Sequence, residues 1–214
     1  MTDTTVSAPS TATTVSVRSD GTPAAGALHP LLADRWSPRA YDPAHELDEA
    51  ALTTVLEAAR WAPSAVNRQP WRFLVGRRGD ATFKGVFDAL MPGNQLWAGS
   101  ASALVVGLAA TVDAEGAPMR HAPYELGLAI AQLTVQAHAL GLHVHQMAGF
   151  SDEALHAEFD VPAGYEAFIV LAIGRMGDPE ELPETLRARE LAPRERKPLP
   201  EIAFAGSWGR PAIG

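Results

Sequence analysis

Two hydrophobic periods alternate along the chain. In "ELDEAALTTVLEAARWA" the residues Leu47, Leu52, Val55, Leu56 and Ala59 recur at helical spacing. Acidic residues open that stretch, where the positive end of the helix dipole favours them. Pro63 stops it. "WRFLVG" then reads as a strand, "DATFKGVFDAL" as a short amphipathic helix, and "NQLWAGSASALVVGLAA" as a helical opening that becomes a strand around Leu104 to Ala109. "YELGLAIAQLTVQAHALG" is apolar nearly all round, which marks a central buried helix. Gly141 is placed to end it as a C′ glycine. "LHVHQM" is a strand, "SDEALHAEF" a helix capped by Ser151, and "YEAFIVLAIG" a strand.

The ends of the chain read differently. "HPLLADRWSPRAYDP" suggests a short helix running into an Arg- and Pro-punctuated loop. Residues 1–27, rich in Thr, Ser and Ala, read as a flexible tail with too little apolar surface to fold alone. After Gly174 the periodicity dissolves into a long Pro- and Arg-rich segment, which suits wrapping a surface better than closing a core. The expectation is a tail over 1–27 and one domain over 28–214, with a C-terminal arm from about residue 176. The fold class is α+β, a mixed sheet with helices on both faces.

Composition narrows the function. At 214 residues the chain is long enough for a substantial core. Its net charge of -8 disfavours nonspecific nucleic-acid binding, which needs clustered cations, and disfavours anionic membrane surfaces. The absence of cysteine excludes disulfides, thiol catalysis and thiolate metal sites. No apolar stretch reaches bilayer length and no secretory leader is visible, so the expected location is cytoplasmic. The glycine fingerprints of dinucleotide and P-loop folds are missing, as is the G-x-S-x-G elbow.

What chemistry remains lies in short polar stretches. "RWSPRAY" sets Arg35, Ser37 and Arg39 at alternating positions; in an extended loop they project to one side. They suit an anion, at about 1.5–3 kcal/mol for each charge-assisted bond, or equally a solvated basic loop. "APSAVNRQPW" holds a hydroxyl and two amides between prolines that stiffen the backbone. Such groups can read a planar heterocycle, or simply satisfy free backbone groups at a helix end. His143 and His145 share one strand face, but two ligands fall short of a metal site, so packed or hydrogen-bonded histidines are expected. His138, within the buried helix, reads as a satisfied core residue. "RERK" near the C-terminus reads alone as a solvated charged face.

Taken together, these stretches resemble the FMN-dependent nitroreductase family. The match is carried by the R-x-S-x-R loop, "APSAVNRQPW", an Asn before an apolar strand, "GLA" and "AHALGL" in the long helix, "AGF" after the next strand, and the basic run near the C-terminus. It spans about Leu31 to Trp208 in order. The resemblance implies a mainly antiparallel sheet flanked by helices, an intimate homodimer with an exchanged C-terminal arm, and FMN at the subunit interface. The basic loop would serve the flavin phosphate and pyrimidine edge through Arg35, Trp36, Ser37 and Arg39. Ser64, Asn67 and Gln69 would reach it, usually from the other subunit. Asn94 would face the ring, the backbone N–H groups of Ala148 and Gly149 would face N5 and O4, and Arg194 and Arg196 would close on the phosphate. Trp97 stands where some relatives carry Lys, and Ala148 where some carry Glu. NADH or NADPH would donate hydride and a small conjugated acceptor, such as a nitroaromatic or quinone, would receive it by a ping-pong route. A specialised biosynthetic flavin dehydrogenase and a flavin-sequestering protein are the alternatives on the same scaffold.

Overall fold

All eight residues of strand β2 (Ala103–Ala110) are buried, which requires cover on both faces of the sheet. Alternation divides its side chains: Ala103, Val105 and Ala109 join one apolar cluster, while Leu104, Val106 and Leu108 join another. The computed structural model describes residues 28–213, so the tail expected over 1–27 lies outside the described residues. Four strands form the sheet: β1 (Trp71–Arg77), β2, β3 (His143–Met147) and β4 (Tyr165–Gly174), in the order β1-β2-β4-β3. Each neighbouring pair is antiparallel. The sheet is thus entirely antiparallel among the described strands.

Helices α2 (Glu49–Arg60) and α5 (Ala122–Ala139) cover one face. Helices α3 (Ala81–Asp88), α4 (Pro92–Ala98) and α6 (Asp152–Phe159) cover the other, and a short α1 (Pro30–Ala33) leads into the basic loop. Local sequence explains their ends. Asp48 caps α2 by accepting from the Ala51 N–H at 2.7 Å. Leu47 before the cap and Leu52 inside are both buried in one cluster, as in a hydrophobic staple. Ser151 caps α6 through the Ala154 N–H at 3.1 Å, as its sequence suggests. Helix α5 ends in a Schellman arrangement: Gly141, at φ 73°, donates to the His138 carbonyl and Leu142 donates to that of Ala137.

Gly107 sets how closely α5 approaches the sheet. A Cβ there would sit 3.0–3.4 Å from Ile169, Ile130 and Leu126, so α5 rests against bare backbone. Each fully buried Leu or Val side chain in these clusters contributes about 1.5–3 kcal/mol of burial free energy.

The described chain forms two units. Residues 29–192 carry the sheet and its helices. That unit includes more of the segment after Gly174 than the dissolved periodicity suggests: helix α7 (Glu184–Glu190) forms there, and Leu186 is buried in the second cluster. The other unit holds residues 193–213 with Leu28; inside it Phe204 and Trp208 pack at 5.0 Å and Ala212 donates to the Ala203 carbonyl.

Candidate functional site

The basic loop is tied down from a distance. Trp36 Nε1–H donates to Glu190 Oε1 at 3.1 Å, and the backbone N–H of Arg39 donates to Oε2 at 3.0 Å. The Arg39 guanidinium lies 3.6 Å from the same oxygen, and the Glu190 side chain is only 2% exposed. A buried carboxylate needs such a set of donors to offset its desolvation. On the loop itself, Arg35 Nη1 donates to Ser37 Oγ at 3.0 Å.

From the sheet edge, His145 reaches the same loop: its Nδ1 lies 2.9 Å from the Pro38 carbonyl, and its ring packs on Trp97 at 4.5 Å. Burial pushes His145 down to about 4, with the Arg39 and Arg35 charges adding to the shift against the hydrogen bonds to the loop backbone. Both guanidiniums thus place positive charge near one strand residue. Trp97, where some relatives carry Lys, is 4% exposed and packs between Tyr41 and His145, so it belongs to the core.

The hook between Pro63 and Trp71 has another character. Ser64 Oγ accepts from the Gln69 N–H at 2.9 Å, and Gln69 Nε2 donates to Asn67 Oδ1 at 3.1 Å. The three polar residues singled out from the sequence thus form one small network. Val66, Asn67 and Gln69 all have positive φ, at 53°, 56° and 49°. For a β-branched residue such as Val66 that conformation is an outlier, and strained positions of this kind cost about 1–3 kcal/mol each. Across the hook, Glu125 Oε1 accepts from the Ala65 N–H at 2.7 Å, and Glu125 is buried. Beside it lies a cavity of about 210 Å³ lined in part by Ala65, Arg68, Arg120 and Glu125. At the exit, Arg72 donates to the carbonyls of Gln69 and Trp71 and sits over the Tyr165 ring at 5.7 Å.

Asn94, in α4, donates from Nδ2 to the Gly149 carbonyl at 2.9 Å, and the Met91 N–H reaches that carbonyl at 3.0 Å. A Cβ on Gly149 would meet Asn94 Nδ2 at 2.9 Å, so glycine permits the close approach. Among the described residues the N–H groups of Ala148 and Gly149 have no acceptor. Arg194 and Arg196 fall in the 193–213 unit, where Arg196 Nη1 donates to the Glu195 carbonyl at 2.6 Å.

His138 departs from its expected role. Its Nδ1 has no partner in the described structure, and its ring meets that of His143 edge-on at 5.2 Å. Both nitrogens of His143 are likewise unpartnered; burial first, then the His138 and Arg35 charges, push it down to about 4. Among the described residues no group of three or more His, Cys, Asp or Glu could hold a metal ion. Sequence reasoning missed both organising carboxylates. Glu125 was visible as a lone acid at a buried position of an apolar helix, whereas Glu190 sits in a charge-rich run with no pattern to mark it.

These features define an α+β protein whose organised polar segments are a basic loop, a proline-bounded hook and a turn whose backbone donors have no acceptor among the described residues. The family model described as "Nitroreductase family" matches residues 32–95 and 81–175, and the chain belongs to that family. It is 41% identical over 148 residues to an uncharacterized 15.4 kDa protein of Mycolicibacterium smegmatis, a match covering 65% of this chain and 99% of that one. It is 31% identical over 159 residues to a Streptomyces coelicolor protein provisionally named an NADH dehydrogenase/NAD(P)H nitroreductase, covering 62% and 75%. Among solved structures, one described as an oxidoreductase containing FMN superposes with a TM-score of 0.79 at 38% identity, covering 85% of this chain and 92% of that one.

Proposed function

We propose that this chain is an FMN-dependent NAD(P)H oxidoreductase working by a ping-pong route, with a nitroaromatic, quinone or similar conjugated molecule as acceptor. The observation that carries the reading is the hook: a strained, polar segment fixed in advance between two prolines. Holding donors and acceptors still before a ligand arrives lowers the entropy cost of binding it. The solved relative described as containing FMN and the relative named for NAD(P)H support the choice of cofactor and donor.

The residues fit the group. Arg35 and Ser37, with Arg39 beside them, present cations and a hydroxyl for the phosphate and pyrimidine edge. Ser64, Asn67 and Gln69 supply amide and hydroxyl groups, and Asn94 lies against the turn at Gly149. The unpaired N–H groups of Ala148 and Gly149 are donors of the kind an acceptor edge of a flavin needs. The family resemblance alone supports the proposal that Arg194 and Arg196 add charge for the phosphate. Bound FMN supplies hydride acceptance and donation. Around it, the guanidiniums stabilise negative charge that develops on reduction. No side chain is assigned as acid or base; solvent supplies the proton.

The reading includes a homodimer. Helix α5 is about 27 Å long and leaves one face uncovered, with Tyr124, Gly127 and Ala131 exposed. Trp61, 74% exposed, and Val66, 88% exposed, add apolar surface at the hook. A second copy is the proposed cover. No described helix is long and apolar enough to cross a membrane; the cytoplasm is the proposed location.

A visible spectrum followed by anaerobic addition of NADH or NADPH tests the reading. The expected result is bound flavin bleached by one or both nucleotides. A protein that cannot be loaded with FMN would overturn it, and flavin that neither nucleotide bleaches would point to sequestration. Arg35→Ala and Arg196→Ala should each weaken FMN retention about tenfold or more, the loss expected for one charge-assisted bond. Sedimentation of the flavin-loaded protein should give a dimer.

A further inference from the structure

The hook raises a physical question apart from its ligand: what keeps it strained? Three non-glycine residues within four positions adopt the left-handed region. Their combined cost, at about 1–3 kcal/mol each, exceeds what the neutral bonds within the hook, Gln69 N–H to Ser64 Oγ and Gln69 Nε2 to Asn67 Oδ1, can return, and Arg72 ties only the exit through the Gln69 carbonyl. The remaining turn bonds, Asn67 N–H to the Ser64 carbonyl and Arg68 N–H to that of Ala65, exist in any tight turn.

We infer that Glu125 is a positioning residue for the hook, a buried carboxylate latch that holds residues 64–69 in their left-handed conformation. Its Oε1 takes the Ala65 N–H at 2.7 Å, the short distance of a charge-assisted bond. The bond spans sixty positions of sequence and joins the first turn of α5 to the residue before Val66. Burial makes the latch stiff, because a carboxylate shielded from water has few alternative partners. The location also makes it tolerable: the free N–H groups at the start of α5 favour negative charge there. A neutral acceptor at 125 would retain the contact at reduced strength, and an alanine would abolish it.

This inference rests on the FMN reading for its consequence, though not for its geometry. The test uses the full chain and two readouts: hydrogen exchange at the Ala65 amide without flavin, and the FMN dissociation constant from quenching of flavin fluorescence. In Glu125→Gln the Ala65 amide should exchange about tenfold faster and FMN should bind about tenfold more weakly, with a larger loss in Glu125→Ala. Adding Val66→Gly to Glu125→Gln should recover part of the affinity, since glycine takes positive φ without steric cost. Glycine also relieves strain in the parent, so Val66→Gly alone is the control: a gain in FMN affinity larger in the Glu125→Gln background than in the parent separates positioning from mere structural support. Unchanged Ala65 exchange in Glu125→Gln would overturn the latch. So would unchanged FMN affinity in that variant when the parent protein binds FMN. If the parent does not bind FMN, the cofactor reading fails, and the Ala65 exchange alone decides the latch.

Discussion

The basic loop and the hook are organised by the same device and differ in what surrounds it. In each, a buried carboxylate from a distant element accepts a backbone N–H: Glu190 from Arg39, Glu125 from Ala65. The basic loop is then sealed. Pro38 is buried, Trp36 turns its indole N–H onto the same carboxylate, and His145 braces the Pro38 carbonyl. It also contains no positive φ. The hook projects, with residues 65–68 exposed and three residues strained. The difference separates two ways of fixing a polar segment. Burial can make a segment rigid as part of the core, or a single latch can hold a protruding segment in a conformation it would otherwise leave.

The largest expected effect separates the two anchors. Glu190→Ala leaves the Trp36 and Arg39 donors without their acceptor in a buried site and should cost about 3 kcal/mol of unfolding free energy in urea. Glu125→Ala should cost less, because Ala65 lies in an exposed segment whose amide, once released, can turn to water. Equal losses would break the distinction between sealed and projecting anchors.

Acid should act next, through the histidines on β3. His143 and His145 lie near 4, below the ordinary 6.5 of the unfolded chain. As pH falls below 6.5 the unfolded chain takes up these protons first. Stability present at neutral pH is therefore lost progressively as pH approaches the folded values. Between pH 7 and 5 the loss should be about 1–2 kcal/mol per histidine. His143→Phe, which keeps a ring against His138 but cannot titrate, should flatten the profile measured by urea unfolding. An unaltered slope would remove His143 from this account.

The smallest effect sharpens the view of the hook. Ser64→Ala removes the acceptor of the Gln69 N–H, worth about 1 kcal/mol locally. It should speed exchange at the Gln69 amide several-fold while leaving global unfolding almost unchanged. Protection that persists would mean Ser64 does not hold the hook's exit.

Much of the fold was legible because it is written in periodicity and caps. Ser151 and Gly141 mark helix ends by chemistry that acts within a few residues, and the β2 run "ALVVGLAA" announces a strand. Helix α7 was not legible, since Leu186 is the one buried apolar side chain in a segment of charges and prolines. The proposed ligand contacts come from resemblance alone, and the structure draws Ser64, Asn67 and Gln69 into one network.

By itself the sequence determined which segments are helix, strand or polar loop, and which family the chain resembles, because those properties depend on neighbours along the chain. Only the tertiary structure decided what holds the polar loops in place. Glu190 lies 151 positions from Arg39, and Glu125 lies 60 from Ala65. A buried carboxylate is stable only where folding brings donors to it, so its role cannot be read from its neighbours in sequence.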